Sequence, residues 1–404
     1  MLTLTSFSGG GLLRSPVSFS RYGGSQGRKV ATLTRGNVEH SDRRGDADVL
    51  RVIDAAGNRA REGLRVLEDY VRFVLDDPHL TRLLKDLRHE LAALLADLSP
   101  SDDSTPRLLD SATRLLAARD TPGDVGTAIH TASEAARGSP GDVVLANFKR
   151  VQEAVRTLEE FGKLLSPERG AALGQLRYRL YTLEKAVGHT RLNRERLADC
   201  RLYLLVTSSL CRRDVETVVR EALAGGVDVV QLREKDLGDR EMLALGRRVR
   251  EWTREAGALF IMNDRPDLAV LCDADGVHVG QDELTVREAR RIVGPDRLVG
   301  VSTHTIEQAR QAVLDGADSL GVGPVFPSTT KAFDSLAGLE FVREVAGEIT
   351  LPWFAIGGIT PENVPDVLDA GAGRIAVSGA VCQADDPREA ARMLARRLAL
   401  KDGG

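Results

Sequence analysis

From residue 201 onward, short runs rich in β-branched residues alternate with helical stretches about eight times. Strands that alternate with helices predict a parallel sheet whose strands are joined by helical crossovers. Eight such units in roughly 200 residues indicate a small TIM barrel, and a doubly wound open sheet is the alternative. The predicted strands are 201–207, 227–234, 259–264, 276–280, 298–304, 319–326, 352–359 and 374–381.

The chain between about residues 48 and 193 has a different periodicity. Apolar residues recur at three- and four-residue steps without strand-like alternation, which predicts an all-α domain. Two helical stretches in it echo each other at a shift of 91 positions. Their charged side chains either form a solvated, salt-bridged surface or line a cleft for a phosphate. The matching pairs are Arg59 and Arg150, Glu62 and Glu153, Arg65 and Arg156, Leu67 and Leu158, and Glu68 and Glu159.

The first 38 residues are rich in Ser and Gly and carry five basic residues but no acidic one. This composition cannot build a core, so we interpret the segment as a disordered leader. Organellar transit peptides share the bias, and an over-long gene start would give it too. The predicted organisation is a leader at 1–44, an all-α domain at 45–195 and the barrel at 196–404.

Composition excludes several functional classes. The 55 basic residues nearly balance the 59 acidic ones, and the net charge of -4 gives no global attraction to nucleic acid or to an anionic membrane. No run of about 18 apolar residues is present, so a membrane span is not expected. The cysteines, at 200, 211, 272 and 382, show no CxxC spacing, which argues against a structural zinc site or a disulfide scaffold. A reducing, cytoplasmic setting fits best.

Polar residues and glycines collect at the C-terminal ends of the predicted strands, where TIM barrels hold their active sites. The second strand ends in Gln231, Arg233 and Lys235, and alternation directs all three side chains to one face, the barrel interior. Two cations at the mouth of an apolar barrel are costly unless an anion binds there. This strand end therefore predicts an anionic substrate.

Acidic residues follow the next two strands. Asn263 and Asp264 end the third strand, and the loop after the fourth contains Asp282 and Glu283. Carboxylates beside cations predict an oxygen-liganded Mg²⁺ that bridges to a phosphorylated substrate. His278, which valines flank within the fourth strand, fits a packed core or rim residue better than a ligand.

The remaining strand ends supply hydroxyls and glycines. Ser302 and His304 end the fifth strand, although the pattern does not decide a role for His304. The loop 323–331 carries hydroxyls and ends in Lys331. Glycines at 357–358 and the Ser378–Gly379 pair on the eighth strand would offer backbone N–H groups to a phosphate.

Six motifs in this order resemble those of thiamine-phosphate synthase, and the resemblance extends from residue 202 to about 398. The motifs are QLREK at 231–235, ND at 263–264, GVHVGQ at 276–281, GVSTHT at 300–305, GPVFPSTTK at 323–331 and IGGI at 356–359. The resemblance implies an Mg²⁺-dependent transferase that joins a hydroxymethylpyrimidine diphosphate to a thiazole phosphate. Its products are thiamine monophosphate and pyrophosphate.

Roles for individual residues follow from the same resemblance. It implies that Mg²⁺ is held by Asp264 and Glu283, although the Asp282–Glu283 order reverses the family's usual pair of acids. The residues that would hold the pyrimidine diphosphate are Gln231, Leu232, Arg233, Glu234, Lys235, Asn263, Ser302 and Lys331. Those that would contact the thiazole phosphate are Ser328, Thr329, Thr330, Gly358, Ser378 and Gly379. The expected catalytic residues are Arg233, Lys235, Ser302 and Lys331.

The helical half is similar to an N-terminal extension found in some members of this family. The matching stretches are RAREGLRVLEDY at 59–70, RDTPGD at 119–124 and NFKRVQEAVRTLEE at 147–160. The resemblance implies a hydroxymethylpyrimidine-phosphate kinase, although no nucleotide-binding P-loop motif is present. A scaffold or oligomerising module is the alternative for this half. For the barrel, the alternatives are a thiazole tautomerase and an inactive ligand-binding regulator. The expected partners are small molecules, and the oligomeric state is not specified by the sequence.

Overall fold

The computed structural model describes residues 35–96, 111–119, 137–327 and 335–400. Its C-terminal part is a closed barrel of eight parallel strands in sequential order, which confirms the predicted TIM barrel and excludes the open sheet. Closure comes from pairing of the first and last strands, with Leu202 opposite Ile375 and Leu204 opposite Val377. The strands are β1 (Leu202–Val206), β2 (Val229–Leu232), β3 (Leu259–Asn263), β4 (Gly276–Val279), β5 (Leu298–Thr303), β6 (Ser319–Val322), β7 (Trp353–Ile356) and β8 (Ile375–Val377).

Helices connect the strands and cover the outside of the barrel. Several of them begin at a side chain that accepts a backbone N–H of the first turn, as Thr285 does from Glu288 in a capping box. The outer helices are α6 (Val215–Ala224), α7 (Asp239–Ala256), α8 (Pro266–Leu271), α9 (Val286–Val293), α10 (Ile306–Asp315), α11 (Gly338–Glu348), α12 (Val364–Asp369), α13 (Gly379–Cys382) and α14 (Pro387–Leu400).

β6 and β8 end four residues before their predicted limits, the largest differences among the eight strands. β6 stops at Val322, because Pro324 has no N–H to continue the ladder of hydrogen bonds. β8 stops at Val377, since the backbone of Ser378 turns away from the extended conformation at φ -131° and ψ -82°. The Ser378–Gly379 pair therefore does not lie on β8 as expected but forms the start of α13.

Three aspartates seal the end of the barrel at which the strands begin. Asp228, Asp275 and Asp318 each precede an even-numbered strand, and each accepts a backbone N–H from the start of the preceding odd-numbered strand. The distances from Asp228 to the N–H groups of Arg201 and Leu202 are 2.8 and 2.9 Å. Backbone donors that the sheet would leave unpaired are satisfied in this way.

An apolar plug fills the barrel at this same end. The Tyr203 and Phe354 rings meet edge to face with their centroids 5.0 Å apart. Leu197, which follows the last N-terminal helix, packs into the same layer and is buried. The plug consists of Leu197, Tyr203, Val229, Ile261, Leu298, Phe354 and Ala376.

The chain before the barrel is helical throughout its described residues, which confirms the predicted all-α part. A π-helical turn (Val71–Leu75) follows the first helix. That helix starts at Arg35, so the predicted boundary at residue 44 falls within it, and residues 1–34 lie outside the described part of the chain. The helices are α1 (Arg35–Tyr70), α2 (Pro78–Ala96), α3 (Ser111–Ala118), α4 (Pro140–Leu165) and α5 (Pro167–Arg196).

The two echoing stretches lie on α1 and α4 and make equivalent contacts. Glu68 of α1 is buried and accepts a hydrogen bond from Arg88 of α2 at 2.8 Å. Glu159 of α4 is buried and accepts one from Arg177 of α5 at 2.9 Å. Burial opposes ionisation of Glu159, but hydrogen bonds from its arginine neighbours outweigh this and lower its pKa. The echo therefore marks two helix pairs, each joined by a buried carboxylate and an arginine.

The helical part contacts the barrel on the side where the strands begin. Asp77, which caps α2, accepts hydrogen bonds from the N–H and hydroxyl of Thr350 at 3.1 and 2.8 Å. Lys185 of α5 donates to the last carbonyl of α10 at 2.6 Å. Asn193 of α5 donates to Asp318 at 2.8 Å. The helical half thus lies against the barrel end opposite the C-terminal ends of the strands.

The Glu68–Arg88 pair offers a test of this packing. Arg88→Met should lower the free energy of unfolding by about 2 kcal/mol, because the buried Glu68 would lose its 2.8 Å hydrogen bond from Arg88. Arg65→Met is the matched control: Arg65 also reaches Glu68, at 3.7 Å, but is 57% exposed. Its loss should cost less than about 1 kcal/mol. Equal losses in the two variants, measured by denaturant unfolding, would contradict the proposed role of the buried pair.

Candidate active site

A cavity of about 800 Å³ opens at the C-terminal ends of the strands, where the sequence predicts the active site. All eight strands or the loops that follow them contribute side chains to it. Its floor includes the plug residues Tyr203 and Phe354, and its mouth is polar. The predicted site residues that line it are Gln231, Arg233, Lys235, Asn263, Asp264, Glu283, Ser302, Gly358, Ser378 and Gly379.

Two predicted residues do not line this cavity. Leu232 is buried in the core outside the barrel, because side chains alternate along β2 and Gln231 takes the inner face. Glu234 instead accepts hydrogen bonds from the N–H and hydroxyl of Ser208 at 2.6 and 2.5 Å. Contact of the whole QLREK motif with substrate stays a prediction, of which Gln231, Arg233 and Lys235 are the part that lines the cavity. The predicted residues Ser328, Thr329, Thr330 and Lys331 lie outside the described residues.

The end of β2 brings two cations into the cavity. Arg233 is held by its backbone, whose N–H donates to Val206 at 2.8 Å and whose carbonyl accepts from the Thr207 hydroxyl at 2.7 Å. Within the described part of the chain, neither Arg233 nor Lys235 forms an ion pair. An uncompensated guanidinium and ammonium in one cavity make it a site for an anion.

Gln231 lies deeper in the cavity. Its amide nitrogen donates to the Tyr203 hydroxyl at 2.8 Å, and its side-chain oxygen is buried with no hydrogen-bond partner in the described structure. Buried polar atoms normally have a partner. The free oxygen therefore indicates where a ligand's N–H group would bind.

The acidic side of the cavity is built on the end of β3. Asn263 donates to the Asp264 carboxylate at 2.6 Å, and the Asp264 N–H donates to the His278 carbonyl at 2.8 Å. Asp264 has a left-handed backbone, with φ 59°, which an aspartate tolerates better than a branched residue does. This turn directs the carboxylate toward the mouth, where the exposed Asp282 and Glu283 also lie.

These acids fit Mg²⁺ better than a metal held by protein ligands alone. Among the described residues, no three His, Cys, Asp or Glu side chains converge as a ready-made metal site. Mg²⁺ keeps several waters and binds through one or two carboxylates together with substrate phosphates. Asp264 with one acid of the β4 loop supplies such an oxygen set.

His278 lines the cavity, although the sequence predicts a packed core or rim residue. Its Nε2 lies 3.0 Å from the Ser302 hydroxyl. Gly300 makes room for the ring, since a Cβ atom there would lie 2.6 Å from Nδ1. Burial lowers the pKa of His278 to about 4, so the ring is neutral at neutral pH. Gly300, which lies opposite His278 on β5, is the sequence feature that could have predicted this orientation of the ring.

The strand ends of β7 and β8 form a small-residue wall. Gly358 has φ 61°, and a Cβ atom there would lie 2.3 Å from the Pro327 carbonyl oxygen, so a side chain cannot be accommodated. Ser378 caps α13, and its hydroxyl is buried without a hydrogen-bond partner in the described structure. The first N–H groups of α13, at Gly379 and Ala380, have no partner within their helix. These donors form a compact site for an anion.

His304, whose role the sequence did not decide, lies at the same rim. Its Nδ1 is 2.5 Å from the carbonyl oxygen of Gly323. Its backbone N–H donates to the side-chain oxygen of Gln308 at 2.7 Å. The residue therefore ties the end of β5 to the loop after β6.

Comparisons with known proteins agree with this geometry. The family model described as thiamine monophosphate synthase matches residues 202–381, and the ThiD2 family model matches residues 51–186. A thiamine-phosphate synthase of Gloeobacter violaceus is 46% identical over 350 residues, which cover 87% of this chain and 97% of that protein. The chain belongs to the thiamine-phosphate synthase family.

Two other similar proteins are a second synthase and one solved structure. A thiamine-phosphate synthase of Rhodopirellula baltica is 42% identical over 346 residues, covering 83% of this chain and 89% of that protein. A solved structure, a thiamine phosphate pyrophosphorylase from Pyrococcus furiosus, is 38% identical with a TM-score of 0.47. It covers 50% of this chain and 97% of its own. None of the helices in the described ranges has the length and apolarity of a membrane span.

The neutral state of His278 predicts a pH dependence of stability in this family member. Between its unfolded pKa of 6.5 and its folded value of about 4, the unfolded chain binds a proton that the folded chain does not. Relative to His278→Asn, the original protein should lose about 1.4 kcal/mol or more of unfolding free energy between about pH 7.5 and pH 5. Denaturant unfolding at the two pH values measures this, and the exposed His89→Asn is the control. An unchanged difference would mean that His278 is not buried as described.

Proposed function

We propose that the barrel condenses 4-amino-2-methyl-5-(diphosphooxymethyl)pyrimidine with a thiazole phosphate to give thiamine monophosphate and pyrophosphate. The observation that carries this proposal is one cavity in which Arg233 and Lys235, which form no ion pair with the described residues, meet the carboxylates Asp264 and Glu283. Cations suit a diphosphate, and the acids suit the metal that accompanies it. The substrates are small molecules, and we expect the reaction to take place in the cytoplasm.

The diphosphate would bind at the mouth of the cavity. Arg233 and Lys235 would contact its oxygens, with Ser302 and Asn263 as neutral donors and Lys331 from the following loop. Asp264 and Glu283 would hold Mg²⁺, which when bound neutralises the charge that develops on departing pyrophosphate. Both cations lack a protein counter-ion among the described residues. They can therefore bind the leaving group without first breaking a salt bridge.

The pyrimidine would lie deeper, toward the plug. The free side-chain oxygen of Gln231 is suited to accept a hydrogen bond from the amino group of the ring. When the C–O bond to diphosphate breaks, the bonding electrons leave with pyrophosphate, and the electron-rich aminopyrimidine carries the positive charge on its methylene. The thiazole nitrogen then donates its lone pair to that carbon. The chain need supply no covalent nucleophile, but it must exclude water, which would trap the cation as an alcohol.

The thiazole phosphate would bind on the opposite wall. The Ser378 hydroxyl and the N–H groups of Gly379 and Gly358 are its proposed donors, with Ser328, Thr329 and Thr330 contributing from the loop after β6. The unsatisfied buried hydroxyl of Ser378 supports this assignment. The first turn of α13 adds N–H groups that no carbonyl of the helix can accept.

A thiazole tautomerase is the less favoured activity of this barrel. A tautomerase moves a proton and needs neither a diphosphate site nor a metal. The cations and carboxylates that meet at this cavity would then have no ligand to bind. The same argument disfavours an inactive regulator.

We further propose that the helical half phosphorylates hydroxymethylpyrimidine phosphate to the diphosphate used by the barrel. The match of residues 51–186 to the ThiD2 family and the echoing helices α1 and α4 support this proposal. Arg119 of the RDTPGD stretch forms a bidentate ion pair with the buried Asp54. Its Nε and Nη2 atoms donate to the two carboxylate oxygens at 2.8 and 2.9 Å. Residues 120–124 of that stretch lie outside the described residues.

Substitution of Asp264 tests the barrel activity. Asp264→Asn should lower kcat by about 10²-fold or more, the scale for loss of one preorganised electrostatic contact. Thiamine monophosphate formed from both substrates with Mg²⁺ is the measurement. Asp282→Asn and Glu283→Gln form a matched pair, and we expect only Glu283→Gln to reduce turnover comparably. Turnover near that of the original protein in Asp264→Asn would refute the assignment of the metal site.

The same variant tests the helical half in the intact chain. Given ATP, Mg²⁺, the pyrimidine monophosphate and the thiazole phosphate, Asp264→Asn should accumulate the diphosphate with one ADP per product, because its barrel consumes the diphosphate about 10²-fold more slowly. The original chain with the thiazole phosphate present should form thiamine monophosphate instead. If neither ADP nor diphosphate appears while the original chain still uses added diphosphate, the helical half is a scaffold.

A further inference from the structure

Two cysteines that are 171 positions apart in the chain meet at the rim of the barrel. Cys211 lies in the loop after β1, and Cys382 is the last residue of α13. The N–H of Arg212 donates to the carbonyl of Cys382 at 2.9 Å, which fixes the two backbones side by side. Both thiols face the end of β1, since Cys211 Sγ contacts the Thr207 carbonyl at 3.4 Å and Cys382 Sγ that of Leu205 at 3.6 Å.

The two thiols are not equivalent. The neighbouring Cys382 thiol lowers the pKa of Cys211. Its thiol neighbour and burial together raise the pKa of Cys382. Cys211 is half-buried, whereas Cys382 is fully buried. Thiolate character and access determine which thiol an oxidant attacks first, and both favour Cys211.

We propose that Cys211 and Cys382 are a reversible oxidation site that forms an intramolecular disulfide with a peroxide oxidant. The Cys211 thiolate attacks one peroxide oxygen, the O–O bond breaks, and a sulfenic acid and one water form after uptake of a proton. The Cys382 sulfur then displaces the hydroxyl group of the sulfenic acid, which leaves as a second water with the thiol proton. A dithiol reductant reverses the reaction by thiol–disulfide exchange.

The disulfide would act on the wall of the cavity. The N–H of Cys382 donates to the Ser378 carbonyl at 2.9 Å and so closes the single turn of α13. Ser378 and Gly379, at the other end of that turn, line the cavity. A bond from Cys382 to the loop after β1 constrains the turn that holds these donors. This consequence for activity rests on the proposed function, in which the turn binds the thiazole phosphate.

The other two cysteines provide internal controls. Burial raises the pKa of the Cys200 thiol to about 11, and Cys272 is buried with its pKa likewise raised by burial. Cys272 contacts the carbonyl of Ala269 on its own helix turn, and Cys200 lies beneath the barrel beside Arg374. Neither thiol is placed against another thiol in the described structure.

The experiment treats the full chain with hydrogen peroxide, blocks remaining thiols with N-ethylmaleimide under denaturing conditions and maps the tryptic peptides. Peptides 202–212 and 375–388 each carry one of the two cysteines and should appear joined. Free thiols should fall from four to two and return with dithiothreitol. Cys211→Ser should form no such link, while Cys200→Ser should form it as the original chain does. Cys382→Ala also removes one sulfur of the proposed disulfide and replaces Cys211→Ser in the experiment if Cys211→Ser folds poorly.

Activity provides the second measurement. In the oxidised original chain, KM for the thiazole phosphate should rise about tenfold, the scale of one lost hydrogen bond, and Cys211→Ser should keep its KM after peroxide. The oxidation site is refuted if N-ethylmaleimide still modifies both Cys211 and Cys382 after peroxide treatment. It is also refuted if Cys200 and Cys272 form disulfides as readily as this pair. A disulfide without a change in KM refutes its coupling to the turn. A reduced chain that makes no thiamine monophosphate refutes the proposed function alone. The oxidation site is tested separately, because the disulfide-linked peptides are detected without an activity assay.

Discussion

The pairing of β1 with β8 is the constraint on which the rest of the barrel depends. Without it, the ends of β2 and β8 would lie on distant parts of an open sheet. Closure brings Arg233, Asp264 and Ser378, which are separated by up to 145 positions in the chain, to one rim. That rim concentrates cations and carboxylates around an apolar interior. This combination of charges suits a ligand that is both anionic and able to share a metal.

Periodicity explains how much of this could be predicted from the sequence. All eight strands were predicted because β-branched runs and helical runs alternate, and the ends of six lie close to their predicted limits. The predicted β6 and β8 were too long. Pro324 ends β6 and the backbone turn at Ser378 ends β8, although the apolar pattern continues beyond both residues. Leu232 and Glu234 belong to the motif that the resemblance assigns to the substrate, but neither lines the cavity, because a contiguous motif does not form one contact surface. Alternation along β2 already directs Leu232 outward.

Other features depend on tertiary neighbours that no local pattern contains. His278 has valines on both sides, as a core residue would, and only the space above Gly300 and Gly321 lets its ring turn into the cavity. Cys211 and Cys382 show no spacing motif, since they meet only when β1 and β8 pair. The lack of CxxC spacing therefore gave no sign of this contact. The echo in the helical half, by contrast, was visible in the sequence, but its buried Glu–Arg contacts depend on α2 and α5.

The position of the helical half limits how the two proposed activities can cooperate. Its contacts through Asp77, Lys185 and Asn193 all lie where the strands begin, and the cavity opens where they end. The barrel interior between these faces is filled by the apolar plug, which Leu197 closes from the helical side. A charged diphosphate cannot cross such a packed layer without losing its solvation. Diphosphate made by the helical half must therefore travel around the outside of the barrel, through solvent, to reach Arg233 and Lys235. If both proposed activities hold, the fusion would keep them at equal amounts, and the cationic rim, rather than a tunnel, would capture the shared intermediate.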